Sequence, residues 1–289
     1  MTERPVLPMT SGYQTWYRFS RNPTALIGAT IVILAVLAAL LAPWITPYPD
    51  HAGAVVNFRA RHLPPSIEYW FGTDNVGRDQ FTRCIFGLRV SLTLAFVVLA
   101  IAVPFGTILG LLAGYFGGWT EIVIMRLTDI ALAIPPLVMA LAVAAVLTPS
   151  LVNAMLAIAI LWWTWHTRLV YSLTRQIRAQ EFVEAAETLG ASRFHILFRE
   201  ILPNCVGPIA VKTSLDAGFV ILVGASLSFL GLGIQPPTPD LGTMVASGAA
   251  FLPDHWWESV LPGAVILILA LGFNLLGDGL RDLFDVEDA

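Results

Sequence analysis

The sequence predicts an all-α polytopic membrane protein of about six transmembrane helices, and three observations lead there. Of its 289 residues, 56% are hydrophobic and only 12% charged, with a mean hydropathy of +0.74; soluble domains carry about a quarter charged residues. The apolar residues gather into six segments, each near the ~20 residues a helix needs to cross a bilayer. Glycine and proline are frequent but unperiodic, as membrane helices tolerate. The chain is thus surrounded by membrane lipid, and its net charge of −4 argues against a nucleic-acid partner.

Residues 1–23 are polar, with Arg4, Arg18 and Arg21. The first span, 24–42, is too long and too far from the start for a cleaved signal peptide, so it stays as an anchor with the N-terminus in the cytoplasm. Residues 43–89 form an external loop. Its later part, FGTDNVGRDQFTRCIFGLRVSL, mixes charges of both signs with three glycines, which suits a folded loop rather than a strand pair. The second span, 90–115, carries Gly106, Gly110 and Gly114 on one face, a spacing that lets helices approach closely.

A tight cytoplasmic turn at 117–126 then leads to a third span, 127–147, kinked at Pro135-Pro136. The fourth span, 151–170, brings Trp162, Trp163 and Trp165 toward an interface as an aromatic belt. The fifth span is 206–230. An external loop with Pro236-Pro237 and Trp256-Trp257 follows and dips back into the bilayer. The sixth span, 260–276, precedes a solvated acidic tail, 281–289. Arg168, Arg175, Arg178, Arg193 and Arg199 surround the interval between spans four and five, placing it on the cytoplasmic side. The arginines of the first external loop (Arg59, Arg61, Arg78, Arg83 and Arg89) count for less, because that loop is long. Cys84 and Cys205 then lie on opposite sides of the membrane and cannot be bridged.

The interval 181–204, EFVEAAETLGASRFHILFREILPN, is amphipathic and charge-bearing. Glu184, Ala185, Ala186 and Glu187 favour helix, and Gly190 is placed to end it in a left-handed turn. Ser192 caps a second short helix, which Leu202-Pro203 closes. The two alanines leave backbone near the surface, so this helix–turn–helix knuckle fits a groove of another protein.

The chemistry that is missing is equally informative. Lys212 is the only lysine and no glycine-rich loop precedes it, so a phosphate-binding loop is absent. There is no nucleophile elbow and no H-E-x-x-H helix. The five histidines are dispersed without ligand spacing, so neither a catalytic nor a metal site is expected, and the chain is not an enzyme. Inside the fifth span Lys212 and Asp216 are one turn apart on one face. They either line a pathway or neutralise each other; intramembrane charges face a bundle interior or an aqueous path. Asp129 and Asp278 fall near predicted cytoplasmic ends, where solvation or capping suffices.

Two sets of residues carry a family resemblance. Glu184-Ala185-Ala186, followed by Leu189, Gly190 and Ala191 and later by Leu202-Pro203, resembles the EAA loop of bacterial ATP-binding-cassette importer permeases; Glu200 stands where that pattern usually has an aliphatic residue. GTDNVGRDQFTRCIFGLRVSL resembles the signature of the dipeptide, oligopeptide and nickel permease subfamily, with Thr82 where serine is usual. SFLGLGIQPPTP and FNLLGDGLRD resemble the same subfamily, so the similarity spans nearly the whole chain.

The resemblance implies a type I importer permease fold: a core domain over 90–280 that includes a cytoplasmic EAA loop at 171–205, in a bacterial inner membrane with both termini cytoplasmic. It implies a homologous second permease subunit, two cytoplasmic ATPase subunits that hold ATP and magnesium, and an external substrate-binding protein. It implies ATPase coupling through Glu184, Ala185, Ala186, Leu189, Gly190, Ala191, Leu202 and Pro203, and no cofactor in this chain. The cargo implied is a dipeptide or oligopeptide; some members instead carry nickel complexes, glutathione or another small solute. The rival class, an ion-coupled secondary transporter, would want several paired intramembrane acids and inverted repeats. One Lys–Asp pair and a large docking loop favour the first class.

Overall fold

The computed structural model describes residues 19–284, so the acidic tail beyond 284 and most of the polar N-terminal segment lie outside the described residues. The described chain is helical throughout, apart from loops and one isolated bridge between Thr73 and Asp79. The helices are α1 (Pro23–Leu40), α2 (Ala42–Ile45), α3 (Gln80–Phe116), α4 (Gly118–Leu132), α5 (Pro136–Val146), α6 (Leu151–Arg178), α7 (Glu181–Thr188), α8 (Arg193–Phe229), α9 (Leu241–Ala249) and α10 (Trp257–Phe284). Two 3-10 turns, Pro49–Ala52 and Phe58–Ala60, lie in the loop before α3.

Among the described residues, four helices (α1, α3, α8 and α10) are long and apolar enough to cross a membrane, and α4 with α5 makes a fifth span if the bent pair counts as one. The fourth predicted span lies in α6, 28 residues long, whose Thr164, His166, Thr167 and Arg168 dilute its apolar character. That helix buries Ala154, Ile158, Trp162 and Val170 against the bundle.

Small residues set the packing. Added Cβ atoms on Gly106, Gly110 and Gly114 of α3 would fall 2.4 Å from the Trp163 carbonyl oxygen, 2.7 Å from that of Thr167 and 2.6 Å from Thr174 Cβ. The stripe therefore seats α3 directly on the α6 backbone, as its spacing predicts. Gly28 of α1 approaches the backbone of α10 at Leu275 and Leu276, and Gly279 of α10 approaches Ala25. Asn22 caps α1 by accepting from Thr24 and Ala25, and its amide donates to Asp282 at 2.8 Å, tying the start of α1 to the end of α10.

Several elements differ from expectation. The helix expected at 90 begins at Gln80, because Asp79 caps it by accepting from the Thr82 N–H. The first half of the signature segment is the folded loop; the second half is helix. The tight turn expected over 117–126 is confined to Gly117 and Gly118, at φ +65° and +54°, and α4 starts at once. The kink at Pro135-Pro136 is a full break of 85° between α4 and α5, consistent with proline removing helix hydrogen bonds. Trp162 is buried and stacks obliquely on Trp165, and Trp163 and Trp165 pack half-buried against the same core.

The end of the bundle away from α7 is capped by residues 46–79 and 230–256. Asp74 accepts from Arg78 Nε at 2.7 Å, and Arg83 Nε lies 3.7 Å from the same carboxylate. His62 meets the buried Glu258 and stacks on His255 with ring centroids 4.2 Å apart. These partners are far apart in sequence. They also show why Arg78 and Arg83 weigh little in a charge-based orientation: both are committed to a folded cap.

Candidate coupling site

α7 forms where the sequence places it. Glu181 and Glu184 occupy its first turn, where carboxylates suit the positive end of the helix dipole. Its C-terminus is a Schellman closure: the Gly190 N–H donates to the Glu187 carbonyl and the Ala191 N–H to the Ala186 carbonyl, each at 3.0 Å. Gly190 sits at φ +79°, with open space where a Cβ would project. Ser192 then caps the next helix by accepting from the His195 N–H at 3.2 Å.

One sequence expectation fails here. Leu202-Pro203 does not close a short helix; α8 runs on through it. The stretch Ile196–Ile201 is a π-helix, and the Leu202 N–H bonds five residues back, to the Leu197 carbonyl. The wider turn lets the chain absorb Pro203, which lacks an N–H and whose ring crowds the carbonyl four residues earlier in an α-helix. Asn204 Nδ2 donates to the Glu200 carbonyl at 2.6 Å, occupying one acceptor that the altered ladder frees.

The knuckle has its own core. Val183, Ile196, Leu197, Ile201 and Cys205 are buried together with Leu111, Tyr115, Val170 and Ile177, and Ala186, Ala191 and Leu202 cover them. Burying an aliphatic side chain of this size contributes about 2 kcal/mol, so the knuckle is anchored to α3 and α6. Tyr115 strengthens the join: its hydroxyl donates to Glu187 at 3.3 Å, and Arg178 lies 5.0 Å over its ring while bonding its carbonyl.

The opposite side is open and apolar. Leu189 is 87% exposed and Phe194 71%, with Phe182 and Phe198 also exposed. Glu184 and Ala185 lie on this open side with Gly190, whereas Ala186, Ala191 and Leu202 are half-buried and Pro203 is exposed at the start of the descending helix. The motif residues thus divide into an outward set and an anchoring set. The aromatic partners Phe182, Phe194 and Phe198 were missed by sequence reasoning; their spacing, four and twelve residues apart across a turn, has no single helical period.

Higher in the bundle, Lys212 Nζ donates to Asp216 Oδ1, as the spacing predicts. The structure adds His166, whose Nδ1 lies 3.7 Å from Asp216 Oδ2; both residues are buried, while the Lys212 side chain keeps 30% exposure and lies 5.7 Å over the Trp165 ring. The cluster pins α6 to α8, the two helices that enter and leave the knuckle. A second polar seam joins α4 to α6: Arg168 pairs with Asp129, and Arg175 bonds Glu121 at 3.1 Å. Its signal was present in the sequence, acids eight apart at 121 and 129 facing bases seven apart in reverse order at 175 and 168. Asp129 lies three turns from the start of α4, in the last turn before the break that follows Leu132.

Residues 106–286 match the family described as binding-protein-dependent transport system inner membrane component, and residues 11–65 match the N-terminal membrane domain of oligopeptide transport permease C. The chain is 44% identical to the probable D,D-dipeptide transport system permease protein DdpC of Escherichia coli, over 95% of this chain and 91% of that protein. It is 39% identical to the dipeptide transport system permease protein DppC of Haemophilus influenzae, over 99% and 98%. It is 40% identical to the glutathione transport system permease protein GsiD of Escherichia coli, over 98% and 92%.

Proposed function

The chain belongs to the inner membrane components of binding-protein-dependent transport systems, the permease subunits of ATP-binding-cassette importers, and on that premise we propose that it forms half of a translocation pathway for dipeptides and short oligopeptides. A homologous second permease supplies the other half. An external binding protein delivers the cargo to the 46–79 and 230–256 cap, and two cytoplasmic ATPases, with ATP and magnesium, dock on the knuckle. In this reading the start of α1 and the end of α10, held together by the Asn22–Asp282 hydrogen bond, face the ATPase side.

The observation that carries this reading is the division of the knuckle into a buried anchor and an exposed apolar face around Leu189, Gly190 and Phe194. An exposed apolar patch on a well-anchored element marks an interaction site. The anchor transmits force because α6 and α8 continue directly from it into the bundle. Glu184, Ala185, Leu189 and Gly190 meet the ATPase; Ala186, Ala191, Leu202 and Pro203 hold and shape the element that presents them.

Reconstitution tests it. The chain alone in proteoliposomes shows no ATPase activity and accumulates no peptide under a proton or sodium gradient. With the second permease, the ATPases and the binding protein it takes up a dipeptide in the presence of ATP and magnesium, with glutathione as competing cargo. Gradient-driven uptake by the lone chain would establish the secondary-transporter class instead.

A further inference from the structure

Between α4 and α6 lies an open cleft of about 490 Å³, whose lining includes Glu121, Met125, Arg126, Asp129, Arg168, Tyr171 and Ser172. Its volume falls in the range of small-molecule sites, roughly 300–1,000 Å³. The walls carry both signs. Arg168 pairs with Asp129, while Glu121 accepts from both Tyr171 and Arg175. Arg126 is exposed and has no partner among the described residues, so the seam keeps one guanidinium to spare.

Depth decides what this cleft faces. At 1.5 Å per residue, Arg126 and Asp129 lie about 12 and 16 Å along α4 from Gly118. An aspartate has no long apolar stem with which to reach an interface, and charges at that depth are costly against lipid. Yet the Asp129 and Arg168 side chains are 44% and 53% exposed. On the reading of this chain as half of a paired permease, a water-filled path on the side completed by the second permease accounts for both facts. Pairs this exposed contribute about 0–1 kcal/mol, so an arriving charged ligand opens them at little cost.

We propose that the α4–α6 cleft is a transit site for the charged ends of a short peptide, with Arg126 taking the C-terminal carboxylate and Glu121 or Asp129 the ammonium. The inference rests on the peptide-permease reading. Guanidinium forks suit carboxylates, and opposed pairs that close again behind the ligand let a zwitterion pass without a deep trap.

The test uses the complete transporter in nanodiscs and a dipeptide with a diazirine side chain. Photolysis during turnover labels Met125, Tyr171 or Ser172, and unlabelled dipeptide suppresses the labelling. Arg126→Gln lowers it about tenfold or more, the order expected for one charge-assisted hydrogen bond, and slows uptake; Arg126→Lys keeps most of both. Wild-type uptake with the cleft unlabelled, labelling unchanged by Arg126→Gln, or labelling only by a photoactivatable phospholipid or from the second permease overturns the transit site and leaves the permease reading standing. Absence of dipeptide uptake by the wild-type assembly overturns both.

Discussion

The Ala191 N–H reaches back over Gly190 to the Ala186 carbonyl at 3.0 Å. That bond folds the descending chain against α7 and turns Leu189 and Gly190 outward. Both alanines of the pair face the knuckle core, so the contact links the turn's shape to its anchorage.

Substituting Gly190 separates folding from docking. A side chain at φ +79° strains the backbone by about 1–2 kcal/mol, but it projects into open space. Gly190→Arg therefore inserts and folds at near-normal levels while ATPase co-purification and substrate-stimulated hydrolysis fall several-fold; Gly190→Ala has a smaller effect. Normal association and transport by Gly190→Arg would remove the coupling assignment.

Opposite outcomes are expected at Leu189 and Val183. Leu189→Glu, on the exposed side, leaves thermal stability within about 0.5 kcal/mol of wild type and weakens ATPase association. Val183→Asp puts an unpaired carboxylate into the knuckle core, costing about 3 kcal/mol or more, and lowers the amount of folded protein recovered from membranes. Equal behaviour of the two variants would contradict the two-sided knuckle.

The charge pair in α8 is asymmetric. Lys212→Met strands the buried Asp216 beside His166, a loss on the order of 3 kcal/mol, whereas Asp216→Asn leaves a lysine that still reaches solvent and loses less. The double variant regains most of the stability that Lys212→Met loses. Thermal unfolding in detergent, with all three variants compared, reads this out; additive losses would mean the pair does not act as a unit.

Acidification loosens the cap on the side away from the knuckle. The Asp79 N–H donates to His51 Nδ1 at 2.8 Å, and burial holds the His51 pKa below its ordinary 6.5 despite the nearby carboxylates of Asp79, Asp74 and Asp50, with Arg78 adding to the depression. The unfolded loop takes up its proton near pH 6.5 and the folded loop only lower. Stability is therefore complete above that value, declines as the pH falls below it toward the folded pKa, and levels off there. Burial raises the Asp79 carboxyl, which acts in the opposite sense in a more acidic range. Hydrogen-exchange protection factors over 58–79 should fall between about pH 7.5 and 5.5 in wild type and stay flat in His51→Gln.

Local signals carried much of this architecture. The Gly106–Gly110–Gly114 stripe, the Gly190 turn and the Lys212–Asp216 spacing are each contained within a few residues of one helix, and each is found as expected. What the sequence hid depends on contacts between distant segments. His166 joins Asp216 only because α6 and α8 cross, and Glu258 meets His62 only once the cap has folded. Pro203 misled for a different reason: proline ends a regular helix, but a wider turn placed just before it removes the conflict.

That wider turn has a consequence for everything that follows it. A π segment accommodates one residue beyond the α-helical count, and each residue of an α-helix advances the facing direction by about 100°. The angular phase of Lys212 and Asp216 about the α8 axis is therefore set several turns upstream, between Ile196 and Ile201. Deleting a single residue there, while leaving every downstream side chain intact, would swing Asp216 by over a quarter revolution, away from His166. The spacing between the knuckle and the buried acid is thus a vernier, and its unit is one residue.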